Sequence, residues 1–124
     1  MNLGIYLHIP YCLHKCGYCE FNSHPENSKE SSHYVDALLK ELEYYSETLK
    51  KYTVPTVFLG GGTPTILPPA QLKKILDKVW QNFNLTPDCE ITIEANPATI
   101  KLQTLQEIRA AGYNRISIGV QSFD

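Results

Sequence analysis

Three closely spaced cysteines are the residues of this sequence best suited to bind a metal. Cys12, Cys16 and Cys19 follow one another in the pattern C-x3-C-x2-C. Thiolate is the ligand form of cysteine, and both structural zinc and an iron–sulfur cubane take four protein ligands when their coordination is complete. A local set of three leaves one corner of a cubane open. The pattern therefore favours a 4Fe–4S cluster in which one iron can bind another molecule.

A closed zinc site is the alternative interpretation of the same segment. His14 lies between the cysteines and His8 lies just before them, so either imidazole can supply the fourth ligand. Three thiolates alone are an incomplete structural zinc site, which is why we favour the cluster. Cys89 is far from the other three in the sequence. We expect it to pack as a small hydrophobic residue.

Composition limits the classes of protein to which the chain can belong. It has 124 residues, a formal net charge of -2, 43% hydrophobic residues and 19% charged residues, which is typical of one globular domain or part of one. There is no basic excess, so we expect no nucleic-acid interface. We find no transmembrane stretch and no signal peptide, and therefore expect a cytoplasmic protein. In that compartment cysteines serve metal binding or catalysis more often than disulfides.

The hydrophobic pattern predicts alternating strands and helices. The predicted strands are Leu3–Ile9, Val54–Leu59, Glu90–Ala95 and Arg115–Val120, and the predicted helices are Ser32–Lys50, Pro69–Asn82 and Thr99–Ala111. Residues 25–32 are predicted to be a loop, with Ser31 or Ser32 capping the first helix. The order βαβαβαβ predicts an α/β fold with a parallel sheet and right-handed crossovers.

Polar motifs follow the carboxyl end of every predicted strand, which is where parallel α/β proteins bind ligands. They are the cysteine segment, the glycine loop Gly60–Thr65, Glu94 and Gln121. Glycines let a backbone approach a ligand closely, and the absence of a following Lys-Ser/Thr excludes a phosphate-binding P-loop. A carboxylate can accept hydrogen bonds from ribose hydroxyls. Taken singly, each motif also fits a tight turn or a solvated strand end.

Together, four segments carry a specific resemblance: Tyr6–Cys12, Gly60–Thr65, Thr92–Pro97 and Asn114–Phe123. In this order they resemble the radical S-adenosylmethionine superfamily and, within it, the oxygen-independent coproporphyrinogen III oxidase-like group. The resemblance implies that four parallel strands and three helices form part of a TIM-like radical S-adenosylmethionine barrel. We expect residues 1–124 to be the N-terminal portion of that core domain, truncated after the fourth predicted strand.

The resemblance also implies cofactors and the residues that hold them. Cys12, Cys16 and Cys19 match the ligands of a 4Fe–4S cluster. The matching cofactor-binding positions are Tyr6, Tyr18, Gly61, Gly62, Thr63, Glu94 and Gln121. S-adenosylmethionine would bind the open iron through its amino and carboxylate groups. In this superfamily the reduced cluster cleaves it to methionine and a 5′-deoxyadenosyl radical, which abstracts a hydrogen atom from a substrate.

The residue at position 21 indicates which branch of this group the chain resembles. Oxidases of the group resemble one another in carrying a further cysteine two residues after the third, where this chain has Phe21. That difference resembles the haem-chaperone branch, whose members bind haem and deliver it to haem-requiring proteins. The alternatives are an oxidase that decarboxylates coproporphyrinogen III in porphyrin biosynthesis, and a zinc-stabilised binding module. Catalytic use of the cluster is left open by the sequence.

Overall fold

The structure is a computed structural model that describes residues 2–12, 24–25, 28–62, 64–96 and 101–118. Its strands are β1 (Asn2–Ile9), β2 (Tyr11–Cys12), β3 (His24–Pro25), β4 (Thr53–Gly61), β5 (Asn84–Ala95) and β6 (Arg115–Ile118). Its helices are α1 (Ser28–Leu49), α2 (Pro69–Asn82) and α3 (Leu102–Ala111), and a short 3-10 helix spans Pro64–Ile66. The predicted order of long elements is confirmed.

The main sheet has four parallel strands in the order β1-β4-β5-β6, and β2 pairs with β3 in a separate parallel pair. Each crossover in the main sheet therefore moves one position in the same direction. Because such crossovers are right-handed, all of the helices between these strands cover one face of the sheet. A doubly wound sheet instead reverses direction and carries helices on both faces. The arrangement is that of part of a barrel and confirms the predicted α/β class.

The hydrophobic core lies between the sheet and the helices. In β1 the side chains of Leu7 and Ile9 are buried, whereas those of Tyr6 and His8, which alternate with them, are exposed. This alternation places successive side chains on opposite faces. The core also contains Val35, Leu38 and Leu42 of α1, Leu72, Ile75, Leu76 and Val79 of α2, Ile108 of α3, and Val57, Leu59, Ile91 and Ile93 of the sheet. The face opposite to the helices is available for a site.

A register shift divides the main sheet into two parts. In β4, Val54 pairs with Leu85 and Thr56 pairs with Glu90, so β5 contains extra residues between these pairs. The pairing of β1 with β4 also shifts at the same level, between Asn2 and Gly4. Pro55 lies at this point. Proline cannot donate a ladder hydrogen bond, which explains why a central strand accommodates it only where the ladder is interrupted.

Three predicted starts differ from the structure. α3 begins at Leu102 rather than at Thr99, because Lys101 before it has an extended backbone. α1 begins at Ser28 rather than Ser32, so the predicted loop overlaps the first turn of the helix and the cap proposed at Ser31 or Ser32 is absent. The prediction started where the apolar stripe starts, at Tyr34, whereas the helix begins in the polar residues before it. β5 begins at Asn84 rather than Glu90, because the residues around Pro87 form the irregular part of the strand instead of a turn.

The end of α3 is fixed by a left-handed glycine and a buried tyrosine. Gly112 has φ of 117°, as expected for a helix stop, and its N–H donates to the Arg109 carbonyl at 3.0 Å. Tyr113 follows, and its buried hydroxyl donates to the Leu72 carbonyl of α2 at 2.7 Å. Burial, and secondarily the charge of Asp77, raise the pKa of Tyr113. Within the described residues, no helix is long and apolar enough to cross a membrane.

Candidate functional site

The sheet face opposite the helices carries two rows of side chains that run across the strands. The upper row consists of His8, Gly60, Glu94 and Ser117, and the lower row consists of Tyr6, Phe58, Thr92 and Arg115. The register pairs His8 with Gly60, Tyr6 with Phe58, Phe58 with Thr92, Thr92 with Arg115, and Glu94 with Ser117. Paired residues of parallel strands point to the same face, so each row is a continuous strip. The upper row lies at the carboxyl ends of the strands.

Glu94 is held against the glycine loop. Its Oε1 accepts a hydrogen bond from the Gly61 N–H at 3.1 Å. A Cβ on Gly60 would lie 2.2 Å from the same oxygen and 2.7 Å from the Phe58 ring, so no other residue fits there without displacing them. Glu94 is the acidic group of the site. With Oε1 bound to the loop, its Oε2 is the oxygen left to accept hydrogen bonds from a ligand.

Gly61 is required by its backbone and by its neighbour. Its φ of 111° lies in the left-handed region that favours glycine, and a Cβ would approach the His8 ring to 2.7 Å and the Ile9 carbonyl to 2.9 Å. The next N–H, of Gly62, donates to the Ile9 carbonyl at 2.8 Å. Both of these loop N–H groups are thus used inside the protein. The loop therefore supports Glu94 and the end of β1.

Tyr6 links the lower row to the upper row. Its hydroxyl lies 3.3 Å from His8 Nδ1, and its ring stacks on Phe58 with centroids 5.9 Å apart. Burial of the hydroxyl, and then the negative charge of Glu94, raise the pKa of Tyr6. Tyr6 is 57% exposed as a residue, so it offers a surface for an apolar or aromatic group. Tyr6 and Glu94 therefore form one electrostatically coupled pair beside an open face.

The end of β1 is held from two sides before the cysteine segment begins. The His8 carbonyl accepts a hydrogen bond from the Tyr34 hydroxyl of α1, and the Ile9 carbonyl accepts the Gly62 N–H described above. Pro10 and the strand β2 follow at once, and β2 contains Cys12. The polypeptide chain therefore leaves β1 at a fixed position next to Glu94 and the glycine loop.

The structure brings together part of the predicted set. Tyr6, Gly61, Gly62 and Glu94 lie in one region at the carboxyl ends of β1, β4 and β5. Cys12 lies in β2, close in sequence to this region. Cys16, Tyr18, Cys19, Thr63 and Gln121 lie outside the described residues, as do His14 and Phe21. Cys89 is buried in the core at 3% exposure, as expected, and burial raises the pKa of its thiol above the range of a reactive cysteine.

Two contributors were missed at the level of the sequence. The sequence indicates His8 only as a zinc ligand or as a packed or hydrogen-bonded histidine, and not as part of the site, but its ring covers Gly61 and contacts the Tyr6 hydroxyl. The alternation of β1 was the signal, since it puts Tyr6 and His8 on the same face. Phe58, which supports Tyr6, sits in an apolar stretch that gives no sign of a site. In the part of the chain that the structure describes, no group of three His, Cys, Asp or Glu residues could hold a metal.

The residues present fit the cofactors that the sequence predicts. The Glu94 carboxylate, held by the Gly61 N–H, has an oxygen that can accept hydrogen bonds from amino or hydroxyl groups. The exposed Tyr6 ring offers an apolar surface at the same place. A nucleoside that carries an amino acid combines these three chemistries. The thiolate-rich segment that begins with Cys12 has the donor type preferred by iron–sulfur clusters.

Comparison with known proteins agrees with this geometry. The Radical SAM superfamily matches residues 6–124, and the chain belongs to that superfamily. It is 43% identical over 122 residues to "Heme chaperone HemW" of Escherichia coli, covering 98% of this chain and 32% of that protein. It is 40% identical over 123 residues to the protein of the same name from Buchnera aphidicola, covering 98% of this chain and 33% of the relative.

A solved structure is similar over almost the whole chain. The Escherichia coli radical SAM enzyme coproporphyrinogen III oxidase, HemN, superposes with a TM-score of 0.87 at 36% identity, covering 98% of this chain and 28% of that one. The chain is therefore similar to part of a HemW-like or HemN-like radical SAM protein. It spans about a third of the length of the curated relatives described above.

Proposed function

We propose that this chain is part of the radical S-adenosylmethionine core of a haem chaperone of the HemW type. The observation that carries the proposal is the 43% identity to the Escherichia coli protein "Heme chaperone HemW" over 122 residues. The residue at position 21 supports it, because Phe21 stands where the sequence analysis expects an oxidase to carry a further cysteine. Such a protein would bind haem and transfer it to haem-requiring partners.

In this proposal Cys12, Cys16 and Cys19 hold a 4Fe–4S cluster, and the cofactor beside it is S-adenosylmethionine. When bound there, the cluster would supply a low-potential electron for cleavage of a carbon–sulfur bond of that cofactor. The chain supplies the binding groups. Those proposed are Tyr6, Tyr18, Gly61, Gly62, Thr63, Glu94 and Gln121.

The roles of the described residues follow from their contacts. Glu94 accepts hydrogen bonds from the cofactor through Oε2, while the Gly61 N–H fixes the orientation of the carboxylate. Tyr6 covers the cofactor with its exposed ring, and Phe58 holds that ring in place by stacking. Gly60 leaves the space that the Glu94 carboxylate occupies.

Haem titration of the protein with its cluster reconstituted tests the proposed function. We expect a Soret shift that saturates with haem, and loss of haem from the protein to an added haem-free acceptor. Titration without a Soret shift would contradict the chaperone assignment. Metal analysis after anaerobic purification tests the alternative of a zinc-stabilised module. One zinc per chain without iron or sulfide would contradict the cluster and favour that module.

An oxidase is the second candidate, favoured by the structural likeness to HemN at a TM-score of 0.87. This reaction would be the oxidative decarboxylation of coproporphyrinogen III. An anaerobic assay of the reconstituted protein for protoporphyrinogen separates the two candidates. Product formation would favour the oxidase, and its absence together with haem binding would favour the chaperone.

A further inference from the structure

Asn114 connects the start of β6 to the irregular part of β5 through three hydrogen bonds. Its side-chain Oδ1 accepts the Ile91 N–H at 2.8 Å, and its Nδ2 donates to the Cys89 carbonyl at 2.8 Å. Its backbone N–H donates to the Ile91 carbonyl at 3.0 Å. The Asn114 side chain therefore forms hydrogen bonds to the β5 backbone of the kind that another residue of β6 would form if the strand began earlier. Tyr113 and Gly112 cannot extend the strand because they form the stop of α3.

The position of Asn114 matters because the pairing of β6 with β5 begins beside it. In the described residues this pairing runs from Thr92 with Arg115 to Ala95 with Ile118. The hydrogen bonds of Asn114 precede the first of these pairs and therefore help to specify the register. A slip by one residue would turn every side chain to the opposite face of the sheet.

The register set at Asn114 has a direct consequence for the upper row. It pairs Glu94 with Ser117, so a hydroxyl stands beside the carboxylate on the open face. Slippage by one residue would put an isoleucine, Ile116 or Ile118, beside Glu94 instead. An apolar branched side chain would then replace a small polar one next to the oxygen that we assign to ligand binding.

We propose that Asn114 is a positioning residue for the site: its side-chain amide fixes β6 on β5 in the register that sets Ser117 beside Glu94. The inference rests on the proposed function for the identity of the ligand, S-adenosylmethionine. The placement of Ser117 itself rests only on the hydrogen bonds and pairing described above. The amide is well suited to this role, because one planar group supplies both the acceptor and the donor that the β5 backbone needs.

The test compares two variants at this position with a matched control. Asn114→Ala removes both side-chain hydrogen bonds. Asn114→Asp keeps an acceptor for the Ile91 N–H but sets a carboxylate oxygen against the Cys89 carbonyl. Asn82→Ala is the control, because it removes an asparagine side chain that donates to a backbone carbonyl, that of Lys78, at 2.9 Å in α2. Asn82 lies at the end of a helix and takes no part in the two rows.

The first measurement is binding of S-adenosylmethionine to the folded, cluster-reconstituted protein, together with the change it causes in the EPR spectrum of the reduced cluster. We expect Kd to rise about tenfold in Asn114→Asp and Asn114→Ala, which equals about 1.4 kcal/mol. Asn82→Ala should bind like the wild type. Folded Asn114 variants with wild-type Kd and wild-type EPR change would overturn the proposal, even if they unfold more easily.

The second measurement needs no cofactor. Hydrogen exchange of the metal-free protein should become faster in peptides that cover residues 89–95 and 113–118 in both Asn114 variants, and stay unchanged there in Asn82→Ala. If the wild type binds no S-adenosylmethionine, the proposed function fails and this exchange experiment still decides the role of Asn114. Unchanged exchange in those peptides would overturn it. If Asn114→Ala does not fold, Asn114→Asp carries both measurements.

Discussion

Gly60 leaves room for the Glu94 carboxylate, which occupies the space of the missing side chain. A Cβ at position 60 would lie 2.2 Å from Glu94 Oε1 and 3.1 Å from the Tyr6 ring. The same oxygen accepts the N–H of the next residue, Gly61, at 3.1 Å. The carboxylate therefore cannot keep both its position and its hydrogen bond if Gly60 gains even a methyl group.

Replacing Gly60 with alanine should disturb the site. We expect Gly60→Ala to lower the free energy of unfolding by about 1–3 kcal/mol, the usual cost of overpacking, and to weaken binding of S-adenosylmethionine because Glu94 is displaced. Gly4→Ala is the control, since a Cβ there would meet only the Thr56 hydroxyl at 3.1 Å. Chemical denaturation and calorimetric titration measure the two effects. Equal ligand binding by both variants would contradict the assignment of Gly60.

The electrostatic coupling of Tyr6 to Glu94 gives a second prediction. Glu94→Gln removes the negative charge that helps to raise the pKa of Tyr6, so that pKa should fall. It should not return fully to the ordinary value, because burial is the larger cause and remains. NMR titration of tyrosine labelled with 13C at Cζ measures the change, with Tyr6→Phe assigning the resonance.

Glu90→Gln is the matched control for that titration. Glu90 pairs with Arg115 on the same face of the sheet, but it does not contribute to the raised pKa of Tyr6. The Tyr6 resonance should titrate there as in the wild type. A Tyr6 pKa that is the same in Glu94→Gln and in the wild type would show that the two groups are not coupled.

Tyr113 predicts how stability depends on alkaline pH. Its pKa is raised in the folded protein above the ordinary value of 10.0. Above that pH the unfolded chain loses the Tyr113 proton while the folded protein keeps it, so the unfolded state is favoured as pH rises. The free energy of unfolding should therefore fall, with a contribution approaching about 1.4 kcal/mol per pH unit from this one group.

Tyr113→Phe separates that contribution from general alkaline effects. The variant should lose about 1 kcal/mol at neutral pH, because the hydrogen bond to Leu72 is gone, and its stability should fall less steeply above pH about 10. Tyr44→Phe, at a position that is 73% exposed, is the control and should follow the wild-type curve. Urea denaturation at a series of pH values gives both slopes. Parallel curves for Tyr113→Phe and wild type would contradict the prediction.

The cysteines should divide into two classes on substitution. Serine at Cys12, Cys16 or Cys19 should each abolish the 4Fe–4S absorbance and the iron and sulfide content after anaerobic reconstitution, because a thiolate ligand is lost. Cys89→Ala is the control. It should keep the cluster and lose only about 1 kcal/mol of stability, since Cys89 is a small buried core residue. Cluster loss in Cys89→Ala with retained folding would contradict this division.

Periodicity was sufficient to predict the elements that bury an apolar face. α2 begins and ends where the sequence places it, at Pro69 and Asn82, because a proline at the first turn and a regular apolar stripe mark both limits. The first part of α1 and of β5 escaped prediction for one physical reason. Ser28 begins a run of polar residues, and the segment that begins at Asn84 contains Pro87 and shifts register against β4, so neither segment shows a regular period.

The parts of the candidate site that could be predicted are those whose residue type alone suggests binding, namely the acidic residue and the glycines. Glu94 and the glycines stand at strand ends, so topology alone brings them together. The hydrogen bond from Gly61 to Glu94 was not predictable, because it depends on the φ of 111° at Gly61 and on the space above Gly60. In the sequence, Asn114 stands out only as the first residue of the segment Asn114–Phe123. Its role depends on a register shift in β5 that no local pattern reveals.

The register shift at Pro55 separates the amino ends of the strands from the carboxyl ends that carry the site. Sequence changes at the amino ends therefore need not alter strand pairing at the carboxyl ends. Both neighbours of β4 change register at this level, so the pairs below it and the pairs above it are set independently. An insertion or deletion among residues 86–88 would be absorbed within the bulge, before the Cys89 carbonyl that Asn114 binds. The upper and lower rows above it would keep their alignment. The amino ends of the strands are therefore free to diverge in evolution while Tyr6, Glu94 and their neighbours stay in place.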